Sequence, residues 1–266
     1  MKKIFVCADI EGTAGIVHWN ETEKNLPDYG YFAAEMTREV KAACEGAFEG
    51  GAEAVLVKDA HDSARNLDPS LLPEYAQVFR GWAKHPFCMM YGLDRDFDGV
   101  VFTGSHSPAG TDVNPLAHTM TTSVYRVTIN GEIASELRIN SWIAAYLGVP
   151  VYAVSGDAGL CRWMKEKHPA TQVVPTNEGS GDGATCRHPA VVTREIKEAV
   201  ARAMAQPRED FMITLPESFT VTISYKEHKN ATEFSFYPGA KKIDSNTISF
   251  THTDYFEVLR FMHFCL

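Results

Sequence analysis

Apolar residues in this chain fall at two spacings, short solid runs and helical periods, and their alternation predicts the fold. The run KKIFVCADIEG (2–12) is rich in β-formers and ends in glycine, as a buried strand of a parallel sheet does. In the following YFAAEMTREVKAACEGAFEGG (31–51), Phe32, Met36, Val40, Ala43 and Ala47 recur at helical spacing, and Gly50-Gly51 supplies the stop. EAVLVKDAHDS (53–63) and DGVVFTGSHS (98–107) read as two more strands, so the first half predicts βαβ units.

SPAGTDVNP (107–115) is too rich in turn formers for a helix interior and reads as a loop of the kind that often carries function. TTSVYRVTINGEIAS (121–135) predicts a hairpin turning at Asn130-Gly131. ELRINSWIAAYLG (136–148) predicts a helix closed by Gly148 and Pro150, and VYAVSGD (151–157) a fourth buried strand. NEGSGDGAT (177–185) reads as a mobile surface loop before the amphipathic helix of 189–206. Beyond it come strands SFTVTISY (218–225) and TISFTHT (247–253) and a final helix, DYFEVLRFMHF (254–264). The expected architecture is a three-layer α/β/α fold with a mainly parallel sheet. We expect a catalytic α/β domain over 1–205 and a smaller α+β part over 206–266, able to pack with the first as one unit.

Composition sharpens this picture. With 266 residues, 45% hydrophobic and 22% charged, the chain is globular rather than disordered. A net charge of −9 and the absence of a basic stripe argue against nucleic acid and membrane surfaces as partners. Cys7, Cys44, Cys88, Cys161, Cys186 and Cys265 contain no CxxC pair, which sets aside zinc ribbons and thioredoxin-type motifs. Asp9 and Glu11 interrupt the first apolar run before it could serve as a signal sequence. The expectation is a cytoplasmic protein with reduced thiols.

The candidate chemistry lies where the predicted strands end, since open α/β sheets bind ligands beyond the carboxyl ends of their strands. Strand one ends in Asp9-Ile10-Glu11, the second in Asp59-Ala60-His61, the third in Ser105-His106 and the fourth in Asp157. Alternation puts Asp9 and Glu11 on one face, and likewise Asp59 and His61. Any one of these alone is more simply a turn former, a helix cap or a hydrogen-bonded surface group. Their coincidence at adjacent strand ends favours a divalent cation, because neighbouring carboxylates otherwise repel. Mixed imidazole and carboxylate donors suit zinc or a similar ion. One ion, or two about 3.5–4 Å apart sharing a carboxylate, would satisfy the set. Glu136, at the start of the helix after the hairpin, is a further candidate ligand. His118, just after the long loop, is a candidate for acid/base work or oxyanion stabilisation. HExxH, GxSxG and P-loop motifs are absent, and GSGDGA does not fit a dinucleotide fingerprint.

Taken together, ADIEG, KDAHDS, TGSHS, AHTM and GEIASELRIN resemble the zinc-dependent D-aminopeptidases of the DppA type, over roughly the first 160 residues. The resemblance implies a dinuclear zinc centre with Asp9, Glu11, His61, His106 and Glu136 as ligands and Asp9 as the bridge. It implies His118 as the active-site residue beside the metals, and a ring-shaped homo-oligomer, commonly a decamer. The expected reaction is metal-assisted hydrolysis of the N-terminal peptide bond of short peptides such as D-Ala-D-Ala. A non-catalytic metal-dependent peptide-binding accessory protein, or a dinuclear amidase or phosphatase acting on other substrates, are the rival classes.

Overall fold

A computed structural model describes all of residues 1–266. Strands β1 (Lys3–Ala8), β2 (Ala54–Asp59), β3 (Ala76–Phe79) and β4 (Gly99–Ser105) are followed by a hairpin, β5 (Val124–Ile129) and β6 (Glu132–Ile133). Next come β7 (Val151–Gly156), β8 (Gln172–Pro175), β9 (Asn177–Ser180) and β10 (Gly183–Cys186), and lastly β11 (Phe219–Tyr225), β12 (Lys241–Lys242) and β13 (Thr247–His252). The helices are α1 (Tyr29–Glu49), α2 (Glu136–Leu147), α3 (Ala158–Lys167), α4 (Pro189–Met204), α5 (His228–Phe234) and α6 (Tyr255–Cys265).

The main sheet has six parallel strands in the order β3-β2-β1-β4-β7-β8. From β1 the chain first builds outward through β2 and β3, then returns to β4 and builds the other way. The topological switch therefore falls between β1 and β4, where the loops at the strand ends diverge and leave a crevice. Both faces of the sheet are covered, which explains why its strands are solid apolar runs. Ile4, Val6 and Ala8 join a core with α1 and α4, while Phe5 and Cys7 point to the opposite core. That second core takes in α2, α3, α6 and the five-stranded sheet β12-β13-β11-β5-β6. The second sheet thus draws β5 and β6 from the middle of the chain and the rest from its last 50 residues.

Local signals explain the element ends. The hairpin turns at Asn130 and Gly131, with φ of 52° and 81°, the left-handed pair a type I′ turn requires. Helix α2 starts at a Ser135 cap whose hydroxyl accepts from the Arg138 N–H at 3.0 Å, and stops at Gly148 with φ 74°. NEGSGDGAT forms the antiparallel pair β9–β10 rather than a mobile loop. Gly181, at φ 61°, turns that ribbon, and Asn177 anchors it by accepting from the Gly15 N–H at 3.0 Å. Its glycines and short polar residues carry no alternation, which concealed the strands. No helix is long and apolar enough to cross a membrane.

Candidate metal centre

The ends of β1, β4 and β7 approach more closely than side chains would permit. A Cβ on Gly12 would lie 1.9 Å from the Ser105 carbonyl oxygen, and one on Gly104 would lie 2.2 Å from that of Asp9. The Asp9 N–H donates to Thr103 O at 3.0 Å and the Gly12 N–H to Gly104 O at 2.8 Å, extending the pairing past the strand ends. This crossing brings Asp9 and Glu11 beside His106 at the switch point. His61 arrives from the end of β2, Glu136 from the first turn of α2 and His118 from the loop between β4 and β5.

All six side chains meet in one buried cluster. His61 Nδ1 lies 3.1 Å from Glu11 Oε1 and 3.5 Å from Asp9 Oδ1. His106 Nε2 lies 3.6 Å from Asp9 Oδ2 and 3.4 Å from Glu136 Oε1. His118 Nε2 lies 3.7 Å from Glu11 Oε1 and 3.6 Å from Glu136 Oε1, and its ring stacks on His106 at 4.2 Å. Donor atoms within 4.8 Å of one another form the groups Asp9/Glu11/His61, Asp9/His106/Glu136 and Glu11/His106/His118. Asp9 belongs to the first two.

Each imidazole is oriented by a backbone carbonyl on its far side. His61 Nε2 meets Thr22 O at 3.1 Å, His106 Nδ1 meets Ser107 O at 3.0 Å and His118 Nδ1 meets Leu116 O at 2.8 Å. A carbonyl only accepts, so those nitrogens carry the hydrogens, and a neutral ring then turns its lone pair toward the carboxylates. Lone pairs facing carboxylate oxygens are repulsive unless positive charge lies between them. His106 Nε2 and Glu11 Oε2 are buried without a hydrogen-bond partner. The residues present therefore fit a divalent cation.

The electrostatics express the same demand. Burial raises the Asp9 carboxyl well above its usual range, and the neighbouring Glu11 charge adds to the effect. Burial opposes ionisation of Glu11 too, but His61 and the other two histidines outweigh it and hold Glu11 well below the usual range. Burial alone would lower His61 and His106, yet Glu11 at the one and Glu136 at the other drive both well upward. The ion-pair partners of the three carboxylates are imidazoles, with no lysine or arginine among them. The cluster draws in positive charge, as protons on its histidines or as metal.

Two strand-end aspartates lie outside the cluster. Asp59 accepts from the Asn66 N–H at 2.6 Å, the Leu67 N–H at 2.9 Å and Asn66 Nδ2 at 2.8 Å, and so folds the loop behind His61. Asp157 caps α3 through the Leu160 N–H at 2.9 Å and accepts from the Ser107 hydroxyl at 2.6 Å. Other parts of the site leave no signal in the sequence pattern. The Met120 N–H donates to Glu136 Oε1 at 2.6 Å, Trp19 packs edge-on against His118, and Trp82 and Met89 help wall a cleft of 330 Å³ above the cluster. Trp82 is held from below by Lys58, whose buried ammonium lies 4.1 Å from the ring and donates to the Gly81 carbonyl at 3.1 Å.

The Peptidase M55 family, described as D-aminopeptidase, matches residues 1–264. The chain belongs to this D-aminopeptidase family. A D-aminopeptidase of Bacillus subtilis (strain 168) is 28% identical over 262 residues, covering 98% of this chain and 95% of the relative. The solved structure described as Zn-dependent D-aminopeptidase DppA from Bacillus subtilis, a self-compartmentalizing protease, superposes with a TM-score of 0.91. That match covers 99% of this chain and 96% of the other, at 28% identity.

Proposed function

We propose that this D-aminopeptidase family member is a dinuclear zinc aminopeptidase that removes the N-terminal residue from short D-amino-acid peptides such as D-Ala-D-Ala. The observation that carries the proposal is the sharing of Asp9 between two donor groups, one completed by Glu11 and His61 and the other by His106 and Glu136. Asp9, Glu11, His61, His106 and Glu136 would hold the metal, with Asp9 bridging. Bound zinc supplies Lewis acidity and an acidified water, whose pKa falls toward about 7.

The protein's own part is to position and to move a proton. His118 stands over the cluster with Nδ1 engaged by Leu116 O, so Nε2 is the nitrogen that faces the reacting groups. From there it takes the proton released as water attacks the scissile carbonyl and returns it to the leaving amine. Trp19 packs on its ring and limits its rotation. Trp82 and Met89 hold apolar surface over the cleft and exclude bulk water, which strengthens every charge interaction within it.

The relative's self-compartmentalizing assembly supports a homo-oligomer here, with a ring of ten copies as the expected size. Phe236, Ile243 and Phe264 expose large apolar side chains that an assembly would cover. The six unpaired cysteines suit a reducing, cytoplasmic setting.

Elemental analysis with amino-acid release from D-Ala-D-Ala and L-Ala-L-Ala, before and after chelation, tests the reading. About two zincs per chain and chelator-sensitive release of D-alanine are expected, with N-acetylated peptides untouched. Two bound metals without release from any peptide would refute the aminopeptidase assignment, and no metal after zinc reconstitution would refute the site.

A further inference from the structure

A second cavity of 140 Å³ adjoins the metal cleft, with Cys88 and Met120 as a partition common to both. Seven of its ten lining residues are hydrophobic, and no aspartate, glutamate, lysine or arginine is among them. Ile139 and Ile143 of α2 and Leu259 and Met262 of α6 form its buried back wall.

The partition is built with left-handed backbone at two residues that are not glycine, Cys88 at φ 44° and Met120 at φ 62°. Such conformations cost free energy and gather where a ligand must be held. The same Met120 N–H fastens Glu136 at 2.6 Å, so the partition is tied to the metal cluster itself. The main cleft instead runs out to solvent past the exposed Glu23, Asp62 and Thr122. A peptide's remaining chain can leave by that polar mouth, whereas the apolar chamber behind the partition suits a single side chain.

We infer that this chamber between α2 and α6 receives the side chain of the substrate's N-terminal residue, and selects an aliphatic side chain larger than alanine's. The inference rests on the aminopeptidase reading. An apolar cavity of about 150 Å³ admits a benzene-sized group, so a leucyl side chain fits and a bulkier indole does not. Each methylene fitted into or excluded from such a pocket changes kcat/KM by about 10-fold or more. The C-terminal helix, which contributes no donor atom to the metal cluster, thereby sets specificity.

The test uses the assembled, zinc-loaded enzyme with two dipeptide series, D-Xaa-D-Ala and D-Ala-D-Xaa, in which Xaa is Ala, Val, Leu or Phe. D-Leu-D-Ala should exceed D-Ala-D-Ala in kcat/KM by about 10-fold or more. Leu266→Trp, which fills the chamber from its half-buried rim, should erase that preference while the ranking of the D-Ala-D-Xaa series is kept. Leu259→Ala, which enlarges the back wall, should raise D-Phe-D-Ala relative to D-Leu-D-Ala. Unfolding midpoint and zinc content check that each variant is folded, and the two variants act in opposite directions. Unchanged first-position selectivity in active variants, or a change confined to the second position, overturns the inference. Cleavage of no dipeptide by the zinc-loaded parent enzyme overturns the aminopeptidase reading, and the pocket's role with it.

Discussion

Glu39 lies in the middle of α1, buried against the end of the parallel sheet, and its ionisation should govern how stability depends on pH. Its Oε1 accepts from the Ala14 N–H at 2.8 Å, and its Oε2 has no hydrogen-bond partner. Burial pushes the carboxyl up to about 8; the Ala14 N–H opposes this, and the nearby Glu35 charge reinforces it. In the unfolded chain the same carboxyl titrates near 4.5. Between those values the unfolded state binds fewer protons than the native one, so stability falls as pH rises. At about 1.4 kcal/mol per pH unit, Glu39 costs about 3 kcal/mol at pH 7 and levels off near 5 kcal/mol above pH 8. Glu39→Gln keeps the acceptor for Ala14 and cannot ionise. Its stability relative to the parent should therefore climb by about 2 kcal/mol from pH 5 to pH 7 and by about 4 kcal/mol from pH 5 to pH 9. Urea unfolding followed by tryptophan fluorescence, at fixed zinc and protein concentration, measures that difference. Any pH-independent penalty of the amide cancels in the slope. Parallel stability profiles for the two proteins would show that Glu39 is already ionised in the folded state and refute the reasoning.

Other expectations concern the cluster and its supports. His118→Ala should retain zinc and lose about 10²–10⁴-fold in turnover, whereas His106→Ala should lose zinc itself; paired elemental analysis and kcat distinguish the roles. Gly104→Ala places a Cβ 2.2 Å from the Asp9 carbonyl at φ 64°, so stability should fall by at least about 2 kcal/mol and zinc affinity with it, read by unfolding and metal titration. Asp59→Ala leaves the N–H groups of Asn66 and Leu67 without their acceptor and removes one of the two Asn66 Nδ2 hydrogen bonds, the other going to the His61 carbonyl, a loss of at least about 3 kcal/mol. Hydrogen exchange should then rise at residues 66 and 67. Unaltered protection there would show that Asp59 does not organise the loop behind His61.

What could be read from the sequence was whatever depends on periodicity and strand ends. Both faces of β1 are apolar, so the run could only be an interior strand, and the polar residues beyond Ala8 had to lie at the sheet's edge. Asp9, Glu11, His61 and His106 follow directly, because a strand end is a position in space as much as in sequence. Asp59 and Asp157 carry the same signal with a different use. An aspartate facing free N–H groups becomes a cap or a loop anchor, and whether such donors lie within reach is settled by the following loop. Strands β3 and β8 lie at the two edges of the sheet, only four residues long and half-covered, and produced no pattern strong enough to mark them.

The residues that surround the cluster were hidden for a further reason. Thr22 orients His61 through a carbonyl, and Met120 fastens Glu136 through an N–H, so the side-chain identity of neither carries a trace of its task. Lys58 would be read as a solvent-facing charge interrupting β2. It is instead fully buried, its ammonium bonded to the Asp59 and Gly81 carbonyls and covered by Trp82. Burial pulls its amine below the ordinary lysine range, and those acceptors together with the indole face are what keep a charge there tolerable. One strand thus sends Asp59 to brace the His61 loop and Lys58 to brace Trp82, two supports for the same cleft. Alternation predicts that adjacent residues diverge in this way; only the tertiary fold shows that both destinations line one cleft.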